Sequence, residues 1–369
     1  MAFGCYHNLF ADNSKYLYIY ACEHVKSRKS VWLSADKRTV KRVRDLGLCA
    51  YHVYSLQGIW YALRAKYWFV NSYSSDILFC LAGNATLVNL WHGVPQKAIE
   101  FLITEGELRK RYVEKRFWDV FYHPASFRCP DYISSTTAFF DDIFSRAFRI
   151  TKDRCLHVGC PRNEILLYPR GEVLSFVAKY ETKETLEFIK KLQQYKGVYV
   201  YMPTWRDSQA DIFANGFDLE RLNQTLLDRG GVMLMKPHPN TKIDTEKEYS
   251  NLLFINNTLD IYPILPFTDV LITDYSSVMY DYMLMEDKGI ILFHYDYEEY
   301  VGERQFLFPL DENIVGTKVY SFDKLLDCIS GRNYSMDAAK RDELINKFWG
   351  DTMRMNVCEN ILKQLNLFE

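Results

Sequence analysis

Met233–Asn240 reads MLMKPHPN, Leu252–Asn257 reads LLFINN, and Asp269–Glu286 reads DVLITDYSSVMYDYMLME. Within this stretch two short apolar runs of strand character stop abruptly at polar residues that a packed core does not select. The first run ends in Lys236, Pro237, His238 and Pro239. Each proline fixes its own φ and pushes the residue before it toward extended geometry, so His238 is expected on a stiff turn. The second run, Asp269 to Thr273, ends in Asp274, Tyr275, Ser276 and Ser277, and a helical pattern starts at once with Val278, Met279, Tyr282 and Met283. A strand, a tight turn and a helix N-terminus bearing hydroxyls form a natural anion site, because free N–H groups and the positive end of the helix dipole point at the ligand. The stretch reads as a diphosphate cradle, with a plain N-cap as the competing reading of Ser277.

Outward from this stretch, strand and helix patterns alternate. VYVYMPTWRDS and a helix over Leu219–Arg229 precede it, a helix is expected over Asp260–Leu265, and GIILFHYDY follows. Three strands of this half end in candidate anion ligands: Thr204 and Arg206, Lys236 and His238, Ser276 and Ser277. In one parallel sheet they converge on one edge, where open α/β sheets hold their ligands. The half from Tyr16 to Val158 shows the same alternation, with strand-like YLYIY, VWL, CAYHVYS, YWFV, TLVNLW, YISS and CLHV between amphipathic stretches such as Asp36–Leu46 and Leu56–Tyr67. That pattern predicts an α/β protein with parallel sheets covered on both faces. A polar helical stretch, Leu174–Tyr195, places the domain junction between Asn163 and Glu184, giving domains over 1–170 and 171–340. The remainder, 341–369, reads as a helical tail whose apolar stripe packs back across both.

Thr86–Glu100 reads TLVNLWHGVPQKAIE. The strand stops at His92, Gly93 permits a tight turn, and Pro95 suits the first position of a helix carrying Lys97. His92 thus stands at the carboxyl end of a strand, before a glycine, as a candidate base titrating near neutral pH. A structural histidine is the competing reading.

Composition narrows the class. With 369 residues and 48% hydrophobic content the chain has room for two globular domains. A formal net charge of -2 gives no global attraction to nucleic acid, so any contact with a polyanion needs a local patch. Two stretches are locally basic. One runs from Lys26 to Arg44; the other comprises Arg109, Lys110, Arg111, Lys115 and Arg116 beside Leu108, Tyr112, Phe117 and Trp118. Each is either a solvated face or a surface for an anionic leaflet or lipid-phosphate acceptor. Nine cysteines without a CxxC pair read as reduced thiols of a cytosolic protein, with no metal site expected. No run approaches the ~20 apolar residues of a membrane span. A Walker loop and GxGxxG are both absent, which disfavours ATP hydrolysis and Rossmann-type NAD binding.

LWHGVPQK, VGCPRNE, YMPTWRDS, MKPHPN and ITDYSSVMYDYM, in this order and spacing, with ADNSKYLYIY at the start, resemble the CDP-glycerol glycerophosphotransferase family. These are teichoic-acid-type primases and polymerases of bacterial walls and capsules. The resemblance implies a GT-B architecture: two Rossmann-like domains facing a central cleft, the first for the acceptor and the second for the donor nucleotide. It implies transfer of a polyol phosphate, glycerol phosphate foremost, from a CDP-activated donor to a hydroxyl of a lipid-linked or polymer acceptor. By that resemblance His92 takes the base position and His238, Ser276 and Ser277 the donor-phosphate positions, with Asp281 beside them and Arg304 matching a family arginine. The segment YEEYVGERQFLFPLDENIVG departs from the glycine-rich, PGP-ending segment of the family.

The chemistry of the residues agrees. An acceptor hydroxyl must lose a proton as it attacks the β-phosphorus, and departing CMP needs its charge neutralised. A histidine serves the first need; a helix N-terminus, hydroxyls, Lys236, His238 and Arg206 serve the second. No cofactor is required and a divalent metal is optional. A nucleotide-sugar glycosyltransferase, a nucleotide-sugar 2-epimerase and a silent nucleotide-binding protein remain alternatives. A cytoplasmic protein held peripherally at the inner face of the plasma membrane is expected.

Overall fold

Residues 1–204, 217–236, 248–256, 258–354 and 356–368 are described by a computed structural model of the protein. The chain divides into two units, Met1–Glu164 with Asn346–Glu369, and Ile165–Ile345.

The first unit contains β1 (Ala2–Phe3), β2 (Val31–Ser34), β3 (Ala50–His52), β4 (Tyr67–Val70), β5 (Thr86–Asn89), β6 (Tyr132–Ser135) and β7 (Cys155–His157). They form one sheet in the order β3-β2-β1-β4-β5-β6-β7, and every neighbouring pair is parallel. Its helices are α1 (Asp12–His24), α2 (Lys37–Asp45), α3 (Leu56–Arg64), α4 (Arg109–Tyr112), α5 (Phe117–Tyr122), α6 (Ala138–Phe148) and the start of α7 (Glu164–Leu167).

The second unit follows with α8 (Arg170–Tyr180), α9 (Lys183–Leu192), α10 (Leu219–Arg229), α11 (Val278–Tyr282), α12 (Tyr297–Glu303), α13 (Phe322–Gly331) and the start of α14 (Ala338–Phe348). Its strands are β8 (Gly197–Tyr201), β9 (Gly231–Met235), β10 (Leu252–Phe254), β11 (Val270–Thr273), β12 (Gly289–Phe293) and β13 (Thr317–Val319), all parallel in the order β10-β9-β8-β11-β12-β13. α15 (Val357–Gln364) returns to the first unit.

Counted from its own first strand, each sheet runs 3-2-1-4-5-6, the doubly wound order, and the first sheet adds a seventh strand. The direction of winding reverses between β1 and β4 and again between β8 and β11, and these are the places where such sheets open a ligand crevice at their carboxyl ends. GVMLM of β9 and GIILF of β12 are buried throughout, as strands covered on both faces must be.

Several local expectations are corrected. YLYIY is not a strand but the middle of α1, where Tyr16, Leu17, Tyr18 and Ile19 are all buried. A helix buried on every side shows no polar face, so its β-branched and aromatic composition mimics a strand. The true first strand is Ala2–Phe3, too short to make a pattern. Leu174–Tyr195 is split between α8 and α9, because Thr182 starts a new helix by accepting a bond from the Thr185 amide at 3.3 Å. Asp260–Leu265 forms no α-helix. The Asp260 carboxylate accepts from the Tyr262 amide at 3.1 Å, and only a short 3-10 turn, Leu265–Phe267, follows. Apart from these corrections, the chain from Asn346 onward is part of the first unit, where Thr137 Oγ1 donates to the Lys347 carbonyl at 3.2 Å and α15 packs on α1. None of the nine cysteines forms a disulfide.

Candidate active site

His92 sits on a sharp elbow after β5. Trp91 adopts φ 50° and Gly93 φ 112°, left-handed values that cost a tryptophan of order 1–3 kcal/mol and must be held by the surroundings. The holding groups are polar and come from distant segments. Asn89 Oδ1 accepts from the Trp91 amide at 2.8 Å. Asn13, fully buried near the start of α1, donates to the carbonyls of Leu90 at 3.3 Å and Trp91 at 2.9 Å. Its own oxygen accepts from the Arg162 amide at 3.0 Å. The Arg162 guanidinium donates to Asp12 at 2.8 Å and to the His92 carbonyl at 2.8 Å. The elbow is thus pinned at its backbone by α1 and by the turn after β7, while the imidazole stays accessible and stacks on Trp91 with ring centroids 4.0 Å apart.

The ring itself is oriented from β4. His92 Nδ1 lies 3.4 Å from the Asn71 carbonyl, a long contact that an Nδ1–H alone can make because a carbonyl only accepts. That tautomer leaves the Nε2 lone pair available. Asn71 is fixed in turn: its side chain accepts from the Ser14 amide and hydroxyl at 3.0 and 2.9 Å, and its amide donates to Asp76 at 2.9 Å. Burial pushes the Asp76 carboxyl up to about 6. Desolvation by the surrounding protein lowers the His92 pKa, Asp12 raises it, and Arg162 lowers it. The accessible ring edge and this desolvation are compatible, since one edge can meet solvent while dense protein displaces water from the rest. The net effect is a neutral imidazole at neutral pH.

The expected helix after Pro95 is absent. Val94, Pro95 and Gln96 are buried without helical structure, and Glu100 turns at φ 48° to accept hydroxyls of Tyr73 at 2.5 Å and Tyr112 at 3.1 Å. Burial of this loop replaces the solvated first turn that Pro95 suggested, and Lys97 lies half-buried in the loop.

In the second unit Thr204 and Ser276/Ser277 follow β8 and β11, neighbours at the reversal of that sheet. Asp274, buried, is the brace between them: it accepts from the Thr204 amide at 2.9 Å, the Thr204 hydroxyl at 2.6 Å and the Tyr275 amide at 2.6 Å. Thr204 therefore spends its hydroxyl on the turn. Behind it, buried His294 Nε2 donates to the Asp274 carbonyl at 3.2 Å, and the Tyr275 ring stacks on His294 at 4.7 Å and on Tyr300 at 4.1 Å. Ser276 and Ser277 remain half-buried at the surface of this packed turn. Ser277 makes no side-chain cap, and Ser276 Oγ only grazes the Val278 amide at 3.5 Å, so the plain N-cap reading does not describe them. α11 is short, Val278–Tyr282, and Asp281 is buried in it, accepting from the Tyr262 hydroxyl. Asp281 thus supports the turn from inside. Lys236 follows β9 on the same sheet edge, with burial lowering its amine pKa and Asp260 opposing that effect. Arg304 lies over the Tyr300 ring at 5.8 Å, which links it to the tyrosine stack behind the turn. Arg206 and His238 lie outside the described residues.

The sequence reading assigned no role to Asp12, Asn13, Asn71, Arg162, Asp274 or His294. Asp12 and Asn13 stand in ADNSKY and Arg162 in VGCPRNE, so the motifs were visible, but nothing in their spacing tells that they brace an elbow some 70 or more residues away in sequence. Among the described residues no group of three His, Cys, Asp or Glu side chains is placed to hold a metal ion.

Known proteins are similar to this chain in sequence and fold. A teichoic acid glycerol-phosphate transferase of Staphylococcus aureus is 28% identical over 87% of this chain and 80% of its own length. A teichoic acid poly(glycerol phosphate) polymerase of Bacillus spizizenii is 27% identical over 86% of this chain and 78% of its own length. The solved structure of the wall teichoic acid polymerase TagF superposes with a TM-score of 0.77 over 99% of this chain and 89% of that one, at 22% identity, which shows the fold. A UDP-GlcNAc 2-epimerase of Neisseria meningitidis also shares the fold, with a TM-score of 0.53 at 10% identity and 98% of each chain covered. The sequence model of the CDP-glycerol:poly(glycerophosphate) glycerophosphotransferases matches residues 2–363. With the braced histidine elbow and the serine turn both falling inside that match, the chain belongs to the CDP-glycerol:poly(glycerophosphate) glycerophosphotransferase family of enzymes.

Proposed function

We propose that this enzyme moves glycerol phosphate from CDP-glycerol to a hydroxyl of a lipid-linked or polymer acceptor during wall polymer synthesis. The observation that carries the reading is the His92 elbow, a strained backbone held by a polar network that leaves a neutral imidazole accessible. Strain stored at the carboxyl edge of a sheet is the mark of a working residue. The acceptor oxygen attacks the β-phosphorus, its proton passes to His92 Nε2, and the bond to the CMP oxygen breaks. Ser276 and Ser277, with Lys236, His238 and Arg206 in the roles read from sequence, meet the charge on the diphosphate. Incubation with CDP-glycerol, CDP-ribitol and UDP-sugars, following nucleotide release, tests it. CMP released from CDP-glycerol is expected; UDP released from a UDP-sugar, with both CDP-polyols inert, would make the enzyme a glycosyltransferase.

The acceptor reading brings a membrane surface with it. No described helix is long and apolar enough to cross a bilayer. The basic stretch at 109–116 is largely paired, Lys110 with Glu107, and Arg109 and Arg116 with Glu114, so charge alone draws it weakly to lipid. What supports the reading is α5, which buries none of its residues and exposes Phe117, Trp118, Phe121 and Tyr122 at 61–69%. A cluster of exposed aromatic rings suits the headgroup layer of a bilayer. Flotation with vesicles that survives high salt is expected for wild type and is lost when Trp118 and Phe121 are both changed to Ser. Undiminished flotation of that variant removes α5 from the membrane.

A further inference from the structure

We infer that the amino edge of the first sheet holds a pocket for the phosphate of an anionic phospholipid headgroup. The pocket, about 280 Å³, is lined by Arg28, Lys29, Arg64 and Lys66 with Tyr61 and Tyr67, and among the described residues no carboxylate lines it. The four cations come from two segments distant in sequence, the loop before β2 and the end of α3 with the link to β4, which the fold brings together. β1 lies between β2 and β4, with Ala2 paired to Val31 on one side and to Trp68 on the other, so the segments entering β2 and β4 emerge side by side. This resolves the basic run Lys26–Arg44 into two parts. Arg38 and Lys41 pair with Asp36 and Asp45, and Arg44 donates to the Ala50 carbonyl at 2.7 Å, whereas Arg28 and Lys29 join Arg64 and Lys66. Four cations gathered in one pocket repel one another, and a phosphate accepting charge-assisted hydrogen bonds relieves that cost. Lys29 Nζ already donates to the Tyr61 hydroxyl at 2.6 Å, which holds one donor at the rim.

A second observation decides the source of the phosphate. α3, whose last turn supplies Tyr61 and Arg64, exposes Leu56, Trp60 and Leu63 at 86%, 58% and 63%, while Gly58 and Ala62 on the opposite face are buried. A Cβ at Gly58 would stand 2.1 Å from the His52 carbonyl oxygen, so the backbone contact fixes which face looks outward. Spacing of four and three residues makes the apolar three one stripe. The Arg64 guanidinium lies over the Trp60 ring at 4.8 Å, joining stripe to pocket. A soluble phosphate would leave that stripe in water. A bilayer covers it while its headgroups fill the pocket, with the tryptophan at the interface.

The inference rests on the membrane reading but uses a different surface from α5, and its test separates the two. The full chain is floated with phosphatidylcholine vesicles with and without phosphatidylglycerol, at low and high salt, for wild type, for Arg28→Gln with Lys66→Gln, and for Lys183→Gln with Lys190→Gln on α9. Each cation at an anionic surface contributes about fivefold, so the pocket variant is expected to lose about 25-fold in affinity for phosphatidylglycerol vesicles at low salt, and the α9 variant nothing comparable. Trp60→Ser should weaken binding too, with CMP release from soluble substrates unchanged in all these variants. Equal losses in the pocket and α9 variants would mean unspecific attraction, and an unchanged pocket variant would leave α5 as the membrane contact without this pocket; either overturns the inference. So does release of wild type from vesicles by glycerol 3-phosphate at matched ionic strength, since the ligand would then be a soluble phosphate.

Discussion

Alanine at position 92 is expected to lower CMP release from CDP-glycerol by roughly 10²–10⁴-fold while donor affinity stays largely intact, the signature of a lost general base. The elbow makes the experiment readable. His92 is held through its carbonyl, which accepts from Arg162, and through the Trp91 backbone, which accepts from Asn13. Alanine keeps both backbone contacts and loses the imidazole with its stack on Trp91. A near wild-type rate would reduce His92 to a structural histidine and remove the proposed mechanism.

The acidic limb of kcat/KM carries the same assignment in its sign. A histidine acts as base when neutral, so the rate falls as pH drops through its pKa. Desolvation, the largest influence, lowers that pKa, which places the limb below the ~6.5 of a free imidazole. Asp12 opposes the shift, because a nearby carboxylate favours the imidazolium. In Asp12→Asn the limb should therefore move further toward acid. A limb that moves toward neutral pH, or stays in place, assigns it to another group.

Legibility in the sequence followed how local each cause was. Leu219–Arg229 was read to the residue, because Asp218 caps its start and Gly230 ends it in a left-handed turn, signals that lie within one turn of the helix. The serine turn after β11 was legible because a continuous apolar strand stopping at DYSS needs no distant partner to be recognised. α1 was misread because its cause is tertiary: a helix buried all round loses the period that marks it. The loop 93–100 failed for the same reason, its helix signal at Pro95 overridden by burial and by the tyrosine pair that holds Glu100. Motif order carried the candidate residues further than spacing could. ADNSKY and VGCPRNE were picked out as signatures, but only the fold shows that Asn13 and Arg162 meet at the His92 elbow.

The serine turn gives the other large effect. If Ser276 and Ser277 donate to the diphosphate, changing both to alanine should weaken CDP-glycerol and CDP at least tenfold, because one hydrogen bond to a charged group is worth about 1.5–3 kcal/mol, while cytidine, which has no phosphate, binds as before. A true N-cap would confuse the result, since its loss costs ~1 kcal/mol of stability. That confusion is small here. Ser277 makes no side-chain cap, Ser276 Oγ stands 3.5 Å from the Val278 amide, and the turn is held by Asp274 bonded to Thr204 and by the Tyr275 ring against His294 and Tyr300. Apart from that long Ser276 contact, none of these bonds uses a serine hydroxyl, so the double variant should melt close to wild type, and melting temperatures measured beside the titrations check that directly. A folded double variant that binds CDP with undiminished affinity would place the phosphate away from this turn, and the proposed donor site with it.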